Sequence, residues 1–171
     1  MSHSPRTLVA FYSHTKHTRQ QGEALAQRLD AEREPIVPRR PFRWPADLWR
    51  AGRMAFTGET QPLEPPRHDP DEFDVVVVGT PVWAWHVTPP VLSWLQQHRD
   101  RLPAVACFAT YGGVGAAKVV DDIAAASGQQ PFAKVLISHR DEAKGQDRVK
   151  IDAFVAEIER ASPFPGITSK G

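Results

Sequence analysis

The chain has 171 residues, 41% of them hydrophobic and 24% charged, with a net charge of +1. That balance excludes a disordered chain and predicts a soluble globular fold with a sizeable core. The near-zero charge without a basic block argues against nucleic acid as a partner. No apolar run approaches the ~20 residues of a membrane span. Residues Met1 to Thr7 lack a secretory pattern, and the lone cysteine, Cys107, cannot form an internal disulfide. A cytoplasmic location is therefore expected.

Leu8 to Tyr12 is a short apolar run of strand-favouring residues. It breaks into hydroxyl residues, Ser13, Thr15 and Thr18, with Lys16 and His17 between them, and Gly22, Leu25, Ala26 and Leu29 then recur at helical spacing. A strand, a hydroxyl-rich turn and a helix start make an anion site, because the first N–H groups of a helix have no internal acceptor and its dipole is positive there. One capping hydroxyl explains one of the three; three around two basic residues favour the anion site.

Glu34 to Pro38 reads as a proline-flanked edge strand. Eight of the sixteen prolines follow between positions 35 and 70, leaving only Ala46 to Gln61 free of them. There Leu48, Trp49, Ala51, Gly52, Ala55 and Phe56 predict a short helix ending near Gly58. With Phe42 and Trp44 as well, residues 38–70 are too aromatic for a linker. They are expected to form an ordered insertion that covers the sheet edge or meets a second copy of the chain.

Val75 to Val78 predict a strand buried on both faces, as a parallel sheet requires. Thr80 to His86 is expected to be a turn, and a helix starts at Pro89 or Pro90. Ala104 to Ala109 is the next strand, followed by a glycine-rich turn, Thr110 to Gly115, and by a helix that stops at Ser127–Gly128. A last strand, Phe132 to Ile137, leads through a charged loop to a helix carrying Ile151, Phe154, Val155 and Ile158. Residues 1–5 and 162–171 are expected to be flexible. Strands alternating with helices predict one α/β domain over 1–171, a doubly wound five-stranded parallel sheet covered on both faces.

Ligands of such sheets bind beyond the carboxyl ends of the strands. The turns 13–18, 80–86 and 110–115 all lie at such ends. A phosphate in the first and a flat aromatic group between the other two would satisfy all three. Trp83 and Trp85 offer aromatic faces, and Tyr111 stands beside Gly112, Gly113 and Gly115, where a missing Cβ lets the backbone approach a ring. His14, His17, His86 and His139 reach the same edge without close spacing or supporting carboxylates and thiolates, so no metal is expected. Gly113 to Lys118 begins like a dinucleotide fingerprint but has Lys118 where its third glycine belongs. An acidic receiver pocket would need carboxylates where Tyr12–Ser13 and Gly79–Thr80 stand. Cys107 and Trp94 read as core residues.

Ser13, Thr15 and Thr18 resemble the phosphate loop of the flavodoxin-like FMN-binding family, Ser/Thr-x-Thr-Gly-x-Thr, with Lys16 in place of the glycine and His17 where asparagine is common. Gly79 to Trp83 resembles that family's first flavin loop, and Thr110 to Gly113 its second. The resemblance implies a flavodoxin-like three-layer sandwich with strand order 2-1-3-4-5 and FMN as cofactor. It places Ser13, His14, Thr15, Lys16, His17 and Thr18 around the phosphate. Pro81, Val82, Trp83 and Ala84, with Thr110, Tyr111, Gly112 and Gly113, would flank the ring, the choice between Trp83 and Trp85 for stacking being open. A lysine at position 16 is strained by about 1–3 kcal/mol if the loop needs a left-handed residue there, or else it adds a cation beside the phosphate.

With Lys16, His14, His17 and His86 near the pocket, positive potential would stabilise an anionic reduced flavin. The expected function is FMN-dependent two-electron transfer between a reductant such as NAD(P)H and a small acceptor such as a quinone. His86 and Tyr111 are the nearest candidates for a proton donor. The alternatives are an electron carrier serving a redox partner protein, and a non-catalytic module with a degenerate FMN site. The aromatic covering segment also raises the expectation of a homodimer.

Overall fold

The computed structural model describes residues 5–161. The ends predicted to be flexible lie outside the described residues, apart from Pro5. Four consecutive valines set the architecture. Val75, Val76, Val77 and Val78 have no solvent exposure and open strand β3 (Val75–Trp83). Its parallel neighbours are β1 (Thr7–Phe11) and β5 (Ala104–Tyr111). β2 (Glu32–Pro35) and β6 (Lys134–Ser138) complete a sheet in the order β2-β1-β3-β5-β6. This is the predicted five-stranded parallel arrangement. A short β4 (His86–Val87) is added antiparallel to the end of β3.

Strand side chains alternate between faces, so one valine run feeds two cores. Val76 and Val78 join Leu8 and Val105 under helices α3 (Pro89–His98) and α4 (Ala117–Ser127), which contribute Trp94, Leu95 and Ile123. Val75 and Val77 join Val9 and Phe108 under α1 (Lys16–Arg28) and α6 (Asp147–Arg160), which contribute Leu25, Phe154 and Ile158. Cys107 is buried, and burial pushes its thiol up to about 12, so it is the inert core residue the sequence suggested.

Three local predictions are corrected. β2 lies two residues earlier than expected; Ile36 N still donates to Phe11 O at 2.8 Å, and Pro38 has no N–H to carry the pairing on. The expected turn from Thr80 is strand as far as Trp83, and the chain reverses over Ala84 and Trp85 alone, both left-handed at φ 48° and 66°. Two-residue hairpins of this hand usually advertise themselves with Asn or Gly, and here neither is present. The charged loop after the last strand holds a helix, α5 (His139–Ala143), started by a capping box between Ser138 and Asp141. Lys150 Nζ donates to Asp141 at 2.8 Å, and with the Ser138 hydrogen bonds it holds that carboxyl down at about 2.

Residues 38–70 are ordered, with α2 (Leu48–Thr57) closed by left-handed Gly58 as expected. The segment folds back on the end of β2. Pro38 bridges Leu63 antiparallel, Arg39 N donates to Pro62 O at 3.0 Å, and Glu64 N donates to Val37 O at 2.8 Å. Glu34 clamps it. This carboxylate is 2% exposed; it accepts Arg67 N at 3.0 Å and His68 N at 3.0 Å, and His68 Nδ1 lies at 2.9 Å. Phe42, Ala51 and Met54 form a satellite core that meets Trp83.

Hydrogen bonds to a buried charge are worth about 1.5–3 kcal/mol. Glu34→Ala should therefore lower stability in urea denaturation by about 2–4 kcal/mol, with Glu34→Gln between the two. His98 provides a pH test. It is buried beside Trp94, and desolvation, helped by Arg101, lowers its pKa from 6.5. The unfolded chain then binds the proton more readily, so the contribution is intact above 6.5 and shrinks as pH falls below it. The urea midpoint should drop between about pH 7.5 and about pH 5.5, and the drop should be smaller in His98→Leu.

Candidate functional site

β1, β3 and β5 run in the same direction, so the segments that follow them meet at one rim. Tyr12 N donates to Gly79 O at 3.2 Å, and the Tyr12 ring meets Trp83 edge-on at 5.8 Å. The Thr18 and Thr110 hydroxyls, both buried, are hydrogen-bonded at 2.8 Å. Gly115 lies so close to Trp85 that a Cβ there would sit 1.8 Å from the indole Cδ1. Each pair of loops is thus in direct contact.

The first loop is built to receive an anion. α1 begins at Lys16 with Thr15 as its N-cap, without a side-chain cap bond and without an acidic residue in its first turn. Ser13 Oγ accepts from Arg19 N at 3.0 Å and donates to Thr15 O. Among the described residues, the Thr15 hydroxyl and the Lys16 ammonium make no hydrogen bond or ion pair, and the leading N–H groups of α1 have no intrahelical acceptor. Uncommitted N–H groups, a free hydroxyl and the positive helix end are the donor set a phosphate requires, so the residues fit FMN at this point. Lys16 carries no left-handed strain, since the non-glycine residues of positive φ among those described are Asp30, Ala84 and Trp85. It lines a groove between α1 and α6 with Gln20 and Arg148. His17 has a counter-charge: its Nδ1 lies 2.5 Å from Glu142 Oε2 on α5.

The two tryptophans of the second loop have different places. Trp83 is half-buried among Tyr12, His14, Phe42 and Trp44, with ring centroids 5.2–6.2 Å away, and joins the main core to the satellite core. Trp85 is 55% exposed at the tip, over Gly115. Pro81, Val82 and Ala84 are half-buried along the same hairpin. In the third loop Tyr111 is half-buried, Gly112 lies against His139, and a Cβ on Gly113 would meet nothing within 4 Å.

Several residues at this rim had no sequence signal. Asp122 of α4 accepts Val87 N at 3.1 Å and lies 2.9 Å from His86 Nδ1. Against a carboxylate acceptor, Nδ1 carries the hydrogen and Nε2 is left free. Glu142 corrects the expectation that the histidines lack a carboxylate, because it comes with His17 and His139. α2 adds an apolar groove of about 560 Å³, lined by Pro45, Leu48, Trp49, Gly52, Phe56 and Ala84.

Gly115 is left-handed at φ 94° as well as in contact with Trp85. Gly115→Ala should cost about 1–3 kcal/mol in denaturant stability and move the indole, read as a shift in tryptophan emission.

No curated protein matches the chain. Similar solved structures include a flavoprotein in complex with FMN from Lactobacillus acidophilus NCFM, 20% identical, with a TM-score of 0.64 over 84% of this chain and 99% of that one. A protein assigned as a flavoprotein from Bacteroides eggerthii DSM 20697 is 21% identical, with a TM-score of 0.70 over 88% and 98%. A WrbA-like flavodoxin protein from Agrobacterium tumefaciens is 13% identical, with a TM-score of 0.59 over 92% and 99%. Each shares the fold. Residues 6–143 match the family described as Flavodoxin. The chain belongs to the flavodoxin family of FMN-binding flavoproteins.

Proposed function

We propose that this protein is an FMN-dependent oxidoreductase passing two electrons from a reductant such as NAD(P)H to a small, flat, apolar acceptor of the quinone type. The observation that carries the proposal is the groove of about 560 Å³ that reaches Ala84 at the tip of the second loop and is walled by Trp49 and Phe56. A concave, aromatic, nearly apolar wall suits a planar molecule held by its faces.

FMN supplies the redox chemistry when bound. The chain's part is to hold and orient it. Thr15 and the first N–H groups of α1 would take the phosphate, with Ser13 and Thr18 shaping the loop through their bonds to Arg19 N, Thr15 O and Thr110. Pro81 to Ala84 and Thr110 to Gly113 flank the ring, with Trp85 as the exposed aromatic face. That a Lactobacillus flavoprotein of the same fold is found in complex with FMN supports FMN as the cofactor. Lys16 and the positive end of α1 favour a negative charge at the rim. His86 is the better candidate for proton donor, because Asp122 holds its Nδ1 and fixes the ring, whereas the Tyr111 hydroxyl makes no hydrogen bond among the described residues.

One observation favours the electron-carrier reading. Trp49 is 84% exposed and Phe56 66%, an apolar face that suits a docked protein as well as a small molecule. Purified protein loaded with FMN and given NAD(P)H and a benzoquinone should turn over, and a redox titration should show a single two-electron step. Two separated one-electron steps without quinone turnover would make it a carrier. Failure to bind FMN would leave a non-catalytic module. His86→Asn should lower kcat about 100-fold with FMN affinity unchanged, and a larger loss in Tyr111→Phe would transfer the role to Tyr111.

A further inference from the structure

We propose that His17, His139 and Glu142 form a binding site for one divalent transition-metal ion, of the zinc type, that ties the first turn of α1 to α5. Each residue offers one ligand atom, and these atoms lie within 4.8 Å of one another. Two imidazoles and a carboxylate are a ligand set that suits zinc and its neighbours and leaves a coordination position open. Tetrahedral bonds of about 2.0–2.2 Å set donors about 3.3–3.6 Å apart, so rotation of the exposed His139 ring has to shorten the wider spacing while the His17–Glu142 pair, at 2.5 Å, opens to admit the ion.

An imidazolium–carboxylate pair accounts for His17 and Glu142 alone, at 2.5 Å. It leaves the third member unexplained. The His139 ring lies nearly parallel to His17, with centroids 4.0 Å apart and planes 21° from each other.

The surroundings support the ligands. Buried Gln21 donates from Nε2 to Glu142 Oε1 at 3.1 Å and to Asp147 Oδ2 at 3.0 Å, so the carboxylate oxygen turned away from His17 is already held. α5 is fixed by the Ser138–Asp141 capping box and by Lys150 on Asp141. A Cβ on Gly112 would lie 3.1 Å from His139 Nδ1, so this ring also abuts the third loop. The positive end of α1 and Lys16 oppose a cation; Glu142 and, through Gln21, Asp147 offset them.

The site adjoins the first and third loops but does not rest on the redox reading, and it is tested without flavin. FMN-free full-length protein titrated with zinc by calorimetry should bind one equivalent with micromolar or tighter Kd, and should show no binding to magnesium. His139→Ala and Glu142→Gln should each weaken zinc binding by about 100-fold or more. Should either variant fail to fold, cobalt added to the unaltered chain gives a second reading, the intense visible bands of a four- or five-coordinate ion with imidazole ligands. Zinc affinity equal in all three proteins, no binding at about 100 µM zinc, or a purely six-coordinate aqueous cobalt spectrum would overturn the proposal.

Discussion

The double burial of Val75 to Val78 is the constraint on which the rest of the molecule depends. A strand with apolar side chains on both faces needs cover on both, and helices alternating with parallel strands supply it. Parallel strands in turn deliver their connecting segments to one rim. Gly79, at the point where β3 meets that rim, has to be glycine, since a Cβ would sit 2.1 Å from Phe108 Cζ in β5. Sheet packing and the approach of the loops are therefore set by the same few residues.

The rim is held by contacts of different chemistry. A hydroxyl pair, Thr18 with Thr110, joins the first and third loops inside the protein. Trp83 links the first and second loops by ring contacts alone. Trp85 over Gly115 links the second and third in a left-handed turn built without glycine or asparagine. Backbone held in a sparsely populated region persists only where the surroundings enforce it, and such places cluster at ligand sites. Here β4, bonded to Asp122 through Val87 N, provides the enforcement.

Much of this was readable from the chain because it is encoded locally. The valine run, the proline at the start of α3, and the glycines after α2 and α4 each carry a signal within a few residues. The hydroxyls at 13, 15 and 18 mark the anion loop in the same way. What could not be read depends on partners distant in sequence. His17 and Glu142 are separated by 125 residues, and Asp122 is one more polar residue on an amphipathic helix until β4 is placed beside it. α5 was within reach, since Ser138 and Asp141 are spaced as a capping box, but five residues are too few for a periodic pattern to register. The start of the second loop was misjudged because Pro81 reads as the end of a strand, whereas β3 keeps its register with β5 through Pro81 and runs on to Trp83 before Ala84 and Trp85 turn.

A sheet's outermost strand offers its unpaired backbone to any other chain that can lie alongside. The returning stretch 62–68 pairs with residues 37–39 just past β2, by the Leu63 bridge and the Arg39 and Glu64 bonds, and the Glu34 carboxylate holds it to β2 itself. It leaves less of that margin open to a neighbouring chain. The cover of that margin is thereby tied to one acidic side chain, Glu34, which takes backbone N–H groups from both Arg67 and His68.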